Sequence, residues 1–153
     1  DVQQSNDLVT VAKNFGAQAA EIVQGPPHQA STWEQAEGLW EMAITELNKV
    51  PESSPGYVEA QKLLAQYITN KGQIETQKQN EQEAVATIKN VRSIVIQLID
   101  KAERGEIRGL QAELQQVIQN LETVPESTTV FDEAQQLQRQ AQNKLNELQQ
   151  VLD

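Results

Sequence analysis

One stretch of this sequence occurs twice, and the second copy lies 74 residues after the first. In both copies seven apolar positions at helical spacing lead into a Val-Pro-Glu-Ser turn. Apolar residues three and four positions apart line one face of an α-helix. A pattern that returns at a fixed period indicates repetition of one helical unit. The first copy has Trp33, Ala36, Trp40, Ala43, Ile44, Leu47 and Val50, and the second has Ile107, Leu110, Leu114, Val117, Ile118, Leu121 and Val124.

The turn after each apolar pattern predicts a helical hairpin. Pro51 and Pro125 interrupt the chain at matching positions, and proline cannot continue a helix. Beyond the turns, the sequence Glu-Ala-Gln at residues 59–61 returns at residues 133–135. We therefore predict that the two prolines occupy equivalent turns between two helices.

A third helical pattern precedes each hairpin. Residues 1–24 carry apolar side chains on one face, and a similar face follows at residues 84–99. The two faces match at an offset of 76, which pairs Ala12 with Ile88. Each of these helices is expected to cover the apolar face that its hairpin leaves open.

The segment between the two units is polar. Across residues 69–83 only Ile74 is apolar and Gly72 is the only helix breaker, which favours a helix that continues into the next element. The sequence thus predicts an all-α protein of about six helices. They form two three-helix units, residues 1–79 and 80–153, which share a long central helix.

Helix ends are predicted from capping residues and breakers. Ser31 and Glu34 have capping-box spacing, in which the hydroxyl and the carboxylate each satisfy a free backbone N–H group. Ser54 is expected to cap the next helix, with Pro55 at its first position. The remaining expected ends are N-caps among Ser5, Asn6 and Asp7, a stop at Gly25-Pro26-Pro27, a bend at Gly105 before a helix of about 106–122, and a last helix from about Thr129 to the end.

Charge and composition exclude several kinds of partner and site. The formal net charge is −10, so nucleic acid and anionic membrane surfaces would be repelled. No run of about 18 apolar residues exists that could insert into a membrane. The absence of cysteine excludes disulfides, thiolate metal sites and cysteine nucleophiles. An acidic surface of this kind serves solubility or meets a basic partner.

The chain begins with Asp1 and not with methionine. We therefore expect a processed or excised segment, from which a signal peptide or an anchor could have been cut.

No residue pattern supports catalysis, metal binding or a cofactor. His28 is the single histidine and lies in a loop beside Pro27, without a second imidazole or a thiol to complete a metal site. Glu34, Glu37 and Glu41 lie along one helical stripe, which is typical of a solvated face. The sequence thus predicts no enzyme, no metal and no cofactor.

Aromatic residues are the remaining candidates for a binding site. Trp40 and Tyr67 face each other across the first turn, and Trp33 lies at the start of the same helix. Their helical spacing favours a place in the core. The alternative is a partly open aromatic pocket for a peptide or a small apolar ligand. Trp33, Trp40 and Tyr67 are therefore the candidate contact residues.

The tryptophan, alanine and leucine series of residues 33–47 and the series Ala60, Leu63 and Tyr67 resemble a tetratricopeptide-type hairpin. Residues 33–67 also resemble a Gln-rich repeat common in cyanobacterial proteins, with its Val-Pro-x-Ser-Ser-Pro-x-Tyr turn and following Ala-Gln. The second resemblance implies a location in the cell envelope or outside the cytoplasm, behind a signal or an anchor. A cytoplasmic location stays open.

These observations predict a non-catalytic protein–protein interaction module or scaffold with a protein partner. The alternative is a domain that binds a small molecule or a peptide in an aromatic pocket near Trp33 and Trp40. An enzyme would require a polar pocket that the sequence does not assemble.

Overall fold

The computed structural model describes residues 2–152, and this part of the chain contains helices and turns but no strand. The all-α prediction is confirmed, but the number of helices is five and not about six. Asp1 and Asp153, at the outer ends of the first and last expected helices, lie outside the described residues. The helices are α1 (Val2–Ile22), α2 (Ala30–Asn48), α3 (Tyr57–Glu103), α4 (Leu110–Glu122) and α5 (Phe131–Leu152).

One long helix, α3, takes the place of two expected helices. It has 47 residues and runs without interruption through the polar stretch 69–83. Within that stretch Ile74 is buried in an apolar core, and Glu81 is also buried. Lys71 pairs with Glu75 one turn later at 3.6 Å. The polar stretch remains helical because its few inward side chains find partners, which an isolated helix would lack.

The described helices form two compact units, unit 1 (Asp1–Gln79) and unit 2 (Asn80–Asp153). Unit 1 contains α1, α2 and the first part of α3, and α1 packs against α2. Unit 2 contains the rest of α3 with α4 and α5, and α4 packs against α5. Each unit has its own apolar core. Because α3 is divided between the units, neither has three complete helices, which corrects the predicted three-helix units.

The turns that close the two hairpins have the same backbone hydrogen bonds. The N–H of Ser54 donates to the carbonyl of Pro51 at 2.9 Å, and the N–H of Thr128 donates to that of Pro125 at 3.2 Å. Both prolines thus lie in equivalent turns, as predicted. Four further N–H to carbonyl bonds in the first turn, Lys49 to Glu46, Val50 to Leu47, Tyr57 to Ser54 and Ala60 to Gly56, correspond to Thr123 to Asn120, Val124 to Leu121, Phe131 to Thr128 and Ala134 to Val130.

Burial also agrees between the matched apolar positions, with one exception. Six of the seven pairs share the same degree of burial. In the seventh pair Trp33 is 5% exposed, whereas Ile107 is 48% exposed. Ile107 precedes α4, so it cannot contribute to the helical face that Trp33 occupies in α2. That the two units are copies of one repeat stays a prediction.

The segment that covers each hairpin forms an equivalent ion pair with it. In unit 1, Lys13 on α1 lies 3.3 Å from the carboxylate of Glu59. In unit 2, Arg92 on α3 binds the carboxylate of Glu133 through two nitrogens. The two acids are 74 residues apart, whereas the two bases are 79 residues apart.

The burial of the covering segments follows the same offset of 79. The predicted offset of 76 would pair Val9, which is 7% exposed, with Val85, which is 45% exposed, so that prediction was wrong. It failed because both segments have apolar residues on more than one face, and sequence alone does not show which face is buried. The buried residues Ser5, Val9, Ala12 and Ala19 correspond instead to the buried residues Ala84, Ile88, Val91 and Leu98.

Two predicted N-terminal caps are replaced by other contacts. The first helix begins at Val2, so Ser5 lies inside it and its hydroxyl hydrogen-bonds the Ser54 hydroxyl instead of capping. The second helix begins at Ala30, after Gln29, which makes no side-chain cap. Ser31 therefore lies within the first turn, and the predicted capping box with Glu34 was wrong.

Two further helix starts are later than predicted. The long helix begins at Tyr57, and the Ser54 hydroxyl accepts a hydrogen bond from the N–H of Gly56 in the turn before it. The fourth helix begins at Leu110 and not at about residue 106. Gly105 and Gly109 both have positive φ, at 78° and 84°, and hold the intervening segment outside a helix.

We expect Trp40→Ala to lower the free energy of unfolding by roughly 3–5 kcal/mol. Trp40 packs inside unit 1 against both α1 and α3, whereas Trp33 packs at the first turn of α2. Trp33→Ala should therefore cost less. Urea titration followed by far-ultraviolet circular dichroism measures both, with Met42→Ala at an exposed site as control. Equal shifts for the two tryptophan variants would contradict this placement.

Candidate functional site

The predicted aromatic residues of unit 1 lie together in its core. Trp40 on α2 and Tyr67 on α3 meet edge to face, with ring centroids 4.9 Å apart and planes at 60°. The contact expected across the first turn is therefore present. Trp33 donates its Nε1–H to the carbonyl of His28 at 3.1 Å and meets the His28 ring edge to face at 5.3 Å. Trp33, Trp40 and Tyr67 are 5%, 7% and 7% exposed, so the rings are packed and not open. Their contact with a partner or ligand stays a prediction.

A glycine of α1 makes room for these rings. A Cβ atom built on Gly16 would lie 2.9 Å from a ring carbon of Trp40 and 3.3 Å from one of Tyr67. Any side chain at this position would therefore displace the aromatic pair. Burial raises the pKa of the Tyr67 phenol, and the nearby Lys13 ammonium opposes that rise. The phenol stays neutral at physiological pH.

The same positions in unit 2 carry different side chains. Leu114 stands at the position that matches Trp40, and Ala141 at the position that matches Tyr67. The offset of 79 places Val95 opposite Gly16. Unit 1 contains five of the six aromatic residues of the chain, and unit 2 contains Phe131 alone. Unit 2 thus lacks the rings that fill this part of unit 1.

A cavity of about 490 Å³ lies at this place in unit 2, between the later part of α3, α4 and α5. We call it the unit 2 cavity. Such a volume is in the range of small-ligand pockets, about 300–1,000 Å³. Nine of its lining residues are apolar and three are polar. The lining consists of Val95, Leu98, Ile99, Ala102, Leu110, Leu114, Leu137, Ala141 and Leu148 with Glu103, Gln140 and Lys144.

The exposed members of the lining form one edge of the unit 2 cavity. Glu103, Gln140 and Lys144 are all exposed, and Lys144 pairs with Glu147 at 3.3 Å. Ile99 is 53% exposed, so an apolar side chain also stands at this edge. The cavity therefore combines a buried apolar floor with a charged and hydrogen-bonding rim.

Buried polar side chains connect each turn to the covering helix. In unit 1 this is the hydroxyl pair of Ser5 and Ser54. In unit 2, the buried Glu81 accepts hydrogen bonds from the backbone N–H of Thr129, at 2.9 Å, and from its hydroxyl. Sequence reasoning missed Glu81 because it lies in the polar stretch that was read as solvent-facing. These contacts fix the turns and are structural.

The acidic stripe of α2 is also structural in part. The Lys78 ammonium lies 3.2 and 3.0 Å from the two oxygens of Glu37. This hydrogen bond raises the pKa of Lys78, with further support from the charges of Glu37, Glu34 and Glu75. Residues 2–152 contain no group of three His, Cys, Asp or Glu side chains arranged to hold a metal ion.

Comparison with known protein families, curated proteins and solved structures finds no match for this chain. No helix in the described range has both the length and the apolar character required to cross a membrane. The site must therefore be interpreted from its own geometry.

Sequence reasoning placed the candidate site in unit 1 and did not find the cavity of unit 2. A signal was present, since the rings of the first copy are replaced by Leu114 and Ala141 in the second. That replacement alone does not show whether the neighbouring helices close over the space.

We expect Gly16→Ala to destabilise unit 1 by about 1–3 kcal/mol, because the added methyl meets the Trp40 ring. Gly38→Ala is the matched control, since Gly38 also lies inside a helix but its Cβ would meet nothing within 4 Å. That control should stabilise the chain by about 0.5–1 kcal/mol. Adding Trp40→Leu to Gly16→Ala should recover part of the loss, measured as a double-mutant cycle in urea. Purely additive effects would show that Gly16 does not accommodate the ring.

Proposed function

We propose that this chain is a non-catalytic protein–protein interaction module built from two tetratricopeptide-like helical-hairpin repeats. The matched hydrogen bonds of the two turns and the matched burial of their apolar positions support the repeat. Repeats of this class present grooves between helices to their partners. The likeness of residues 33–67 to the Gln-rich cyanobacterial repeat extends the proposal to an extracytoplasmic or anchored protein.

The observation that carries this proposal is the unit 2 cavity. Its apolar floor would bury an apolar group of a partner, at roughly 25 cal/mol for each Å² removed from water. Ile96 is 69% exposed and Ile99 is 53% exposed, so apolar surface continues on α3 beside the cavity. Interface hot spots combine a pocket for an anchor residue with a surrounding rim. The proposed occupant is therefore a side chain on a segment of a partner protein.

The side chains of the cavity favour binding over catalysis. Its lining offers no hydroxyl, thiol or imidazole, and its polar members Glu103, Gln140 and Lys144 all stand at the exposed edge. Nucleophilic catalysis requires an activated nucleophile next to a base.

A second function is the binding of a small molecule, which the volume of the cavity favours. In that case the site lies beside Leu114 and Ala141 in unit 2. It would not lie near Trp33 and Trp40, where the alternative was first predicted, because both indoles are packed in the core of unit 1.

Panning of a random peptide library against the chain tests the interaction proposal. We expect the wild type to select peptides with a shared apolar anchor. Ala141→Tyr should lose them, because its ring enters the cavity as Tyr67 enters the core of unit 1. The expected loss in affinity is at least tenfold, about 1.4 kcal/mol.

Val58→Tyr is the matched control, since it adds the same side chain at an exposed site of unit 1 and should leave selection unchanged. Circular dichroism verifies that each variant folds, and Leu114→Trp serves as a second blocking variant. Selection of the same peptides by both blocking variants, or no selection by the wild type, would refute the proposal.

A further inference from the structure

We infer that the unit 2 cavity takes an aromatic side chain, tryptophan or tyrosine, from the partner protein. This inference rests on the proposed function and specifies the chemistry of the anchor. It follows from a comparison of the two units, since unit 1 contains at the matching place the rings that unit 2 lacks.

The matched positions show what such a site accepts. In unit 1 the space between α1, α2 and α3 holds the rings of Trp40 and Tyr67 in an edge-to-face contact, against the bare backbone of Gly16. Edge-to-face packing is a preferred arrangement of two aromatic rings. The backbone turns that set this spacing have the same hydrogen bonds in unit 2. The walls of the unit 2 cavity therefore stand at a separation that suits rings.

A third ring of unit 1 also has no counterpart in unit 2. Trp33 closes the first turn of α2, where its indole is buried. Its match in sequence, Ile107, lies outside α4 and is exposed. Unit 2 therefore lacks the ring of Trp33 as well as those of Trp40 and Tyr67, and the cavity opens beside Leu110 and Leu114.

The edge of the cavity suits a ring that carries a polar atom. In unit 1 the indole N–H of Trp33 donates to the His28 carbonyl. In unit 2, Glu103 and Gln140 place acceptors beside an otherwise apolar lining. The Lys144 ammonium at the same edge attracts the face of an aromatic ring. A charged anchor would instead lose its hydration against nine apolar side chains.

The probes for this inference are 4-methylphenol, which has the ring of a tyrosine side chain, and 4-methylcyclohexanol, its saturated equivalent of similar size. Titration of the full chain followed by methyl NMR should shift the signals of Val95, Leu98 and Leu137. The aromatic probe should bind about two- to fivefold more tightly, because only its ring face attracts the Lys144 cation. Equal affinities, or tighter binding of the saturated ring, would overturn the inference.

The variant Val95→Gly with Leu114→Trp and Ala141→Tyr rebuilds in unit 2 the side chains of unit 1. It should lose binding of 4-methylphenol by at least about tenfold, whereas Val58→Tyr should leave it unchanged. If the triple variant does not fold, Ala141→Tyr alone makes the same test. Undiminished binding by a folded blocking variant would place the probe elsewhere and overturn the inference.

Library selection separates the failure of this inference from that of the proposed function. Peptides that require the cavity and carry tryptophan or tyrosine support both. Peptides that require the cavity but carry leucine, isoleucine or methionine overturn the aromatic anchor and leave the interaction module standing. Cavity binding of 4-methylphenol without any cavity-dependent peptide overturns the interaction module and assigns the site to a small aromatic molecule.

Discussion

Burial of one apolar stripe per helix is the constraint on which both units depend. With 38% hydrophobic residues, the chain has few side chains to bury, and 24 of its 153 residues are glutamine. A helix with one apolar face is marginal alone and gains stability when a neighbour covers that face. Each hairpin brings two such faces together at a proline turn, and a third helical segment covers what remains. The ion pairs Lys13–Glu59 and Arg92–Glu133 join this third segment to the hairpin in the same way.

The polar middle of α3 contributes through specific contacts and not through a continuous stripe. Ile74 and Lys78 connect it to the core and to α2 of unit 1, while Glu81 holds the turn of unit 2. A buried carboxylate is costly unless it is hydrogen-bonded, and the N–H and hydroxyl of Thr129 meet that need. Composition alone would describe this segment as a linker, yet a few inward-facing residues make it structural.

The sequence was sufficient where a residue has only local consequences. The prolines at 51 and 125 and the apolar spacing specify the hairpins, because turns and helical faces follow from short-range geometry. Prediction failed where distant contacts decide. Ser5 has the chemistry of an N-cap but bonds to Ser54 across the unit. The register of the covering segments and the cavity beside Leu114 also depend on tertiary packing, which a single sequence does not reveal.

The packing of both tryptophans in unit 1 makes the two units optically distinct. Since unit 2 has no indole, the intrinsic tryptophan fluorescence of the protein originates wholly from unit 1. Far-ultraviolet circular dichroism, by contrast, records the helices of both units. The difference between the two signals during denaturation would reveal whether the units melt together or in sequence. The native chain thus carries a reporter for one half of itself, without any label.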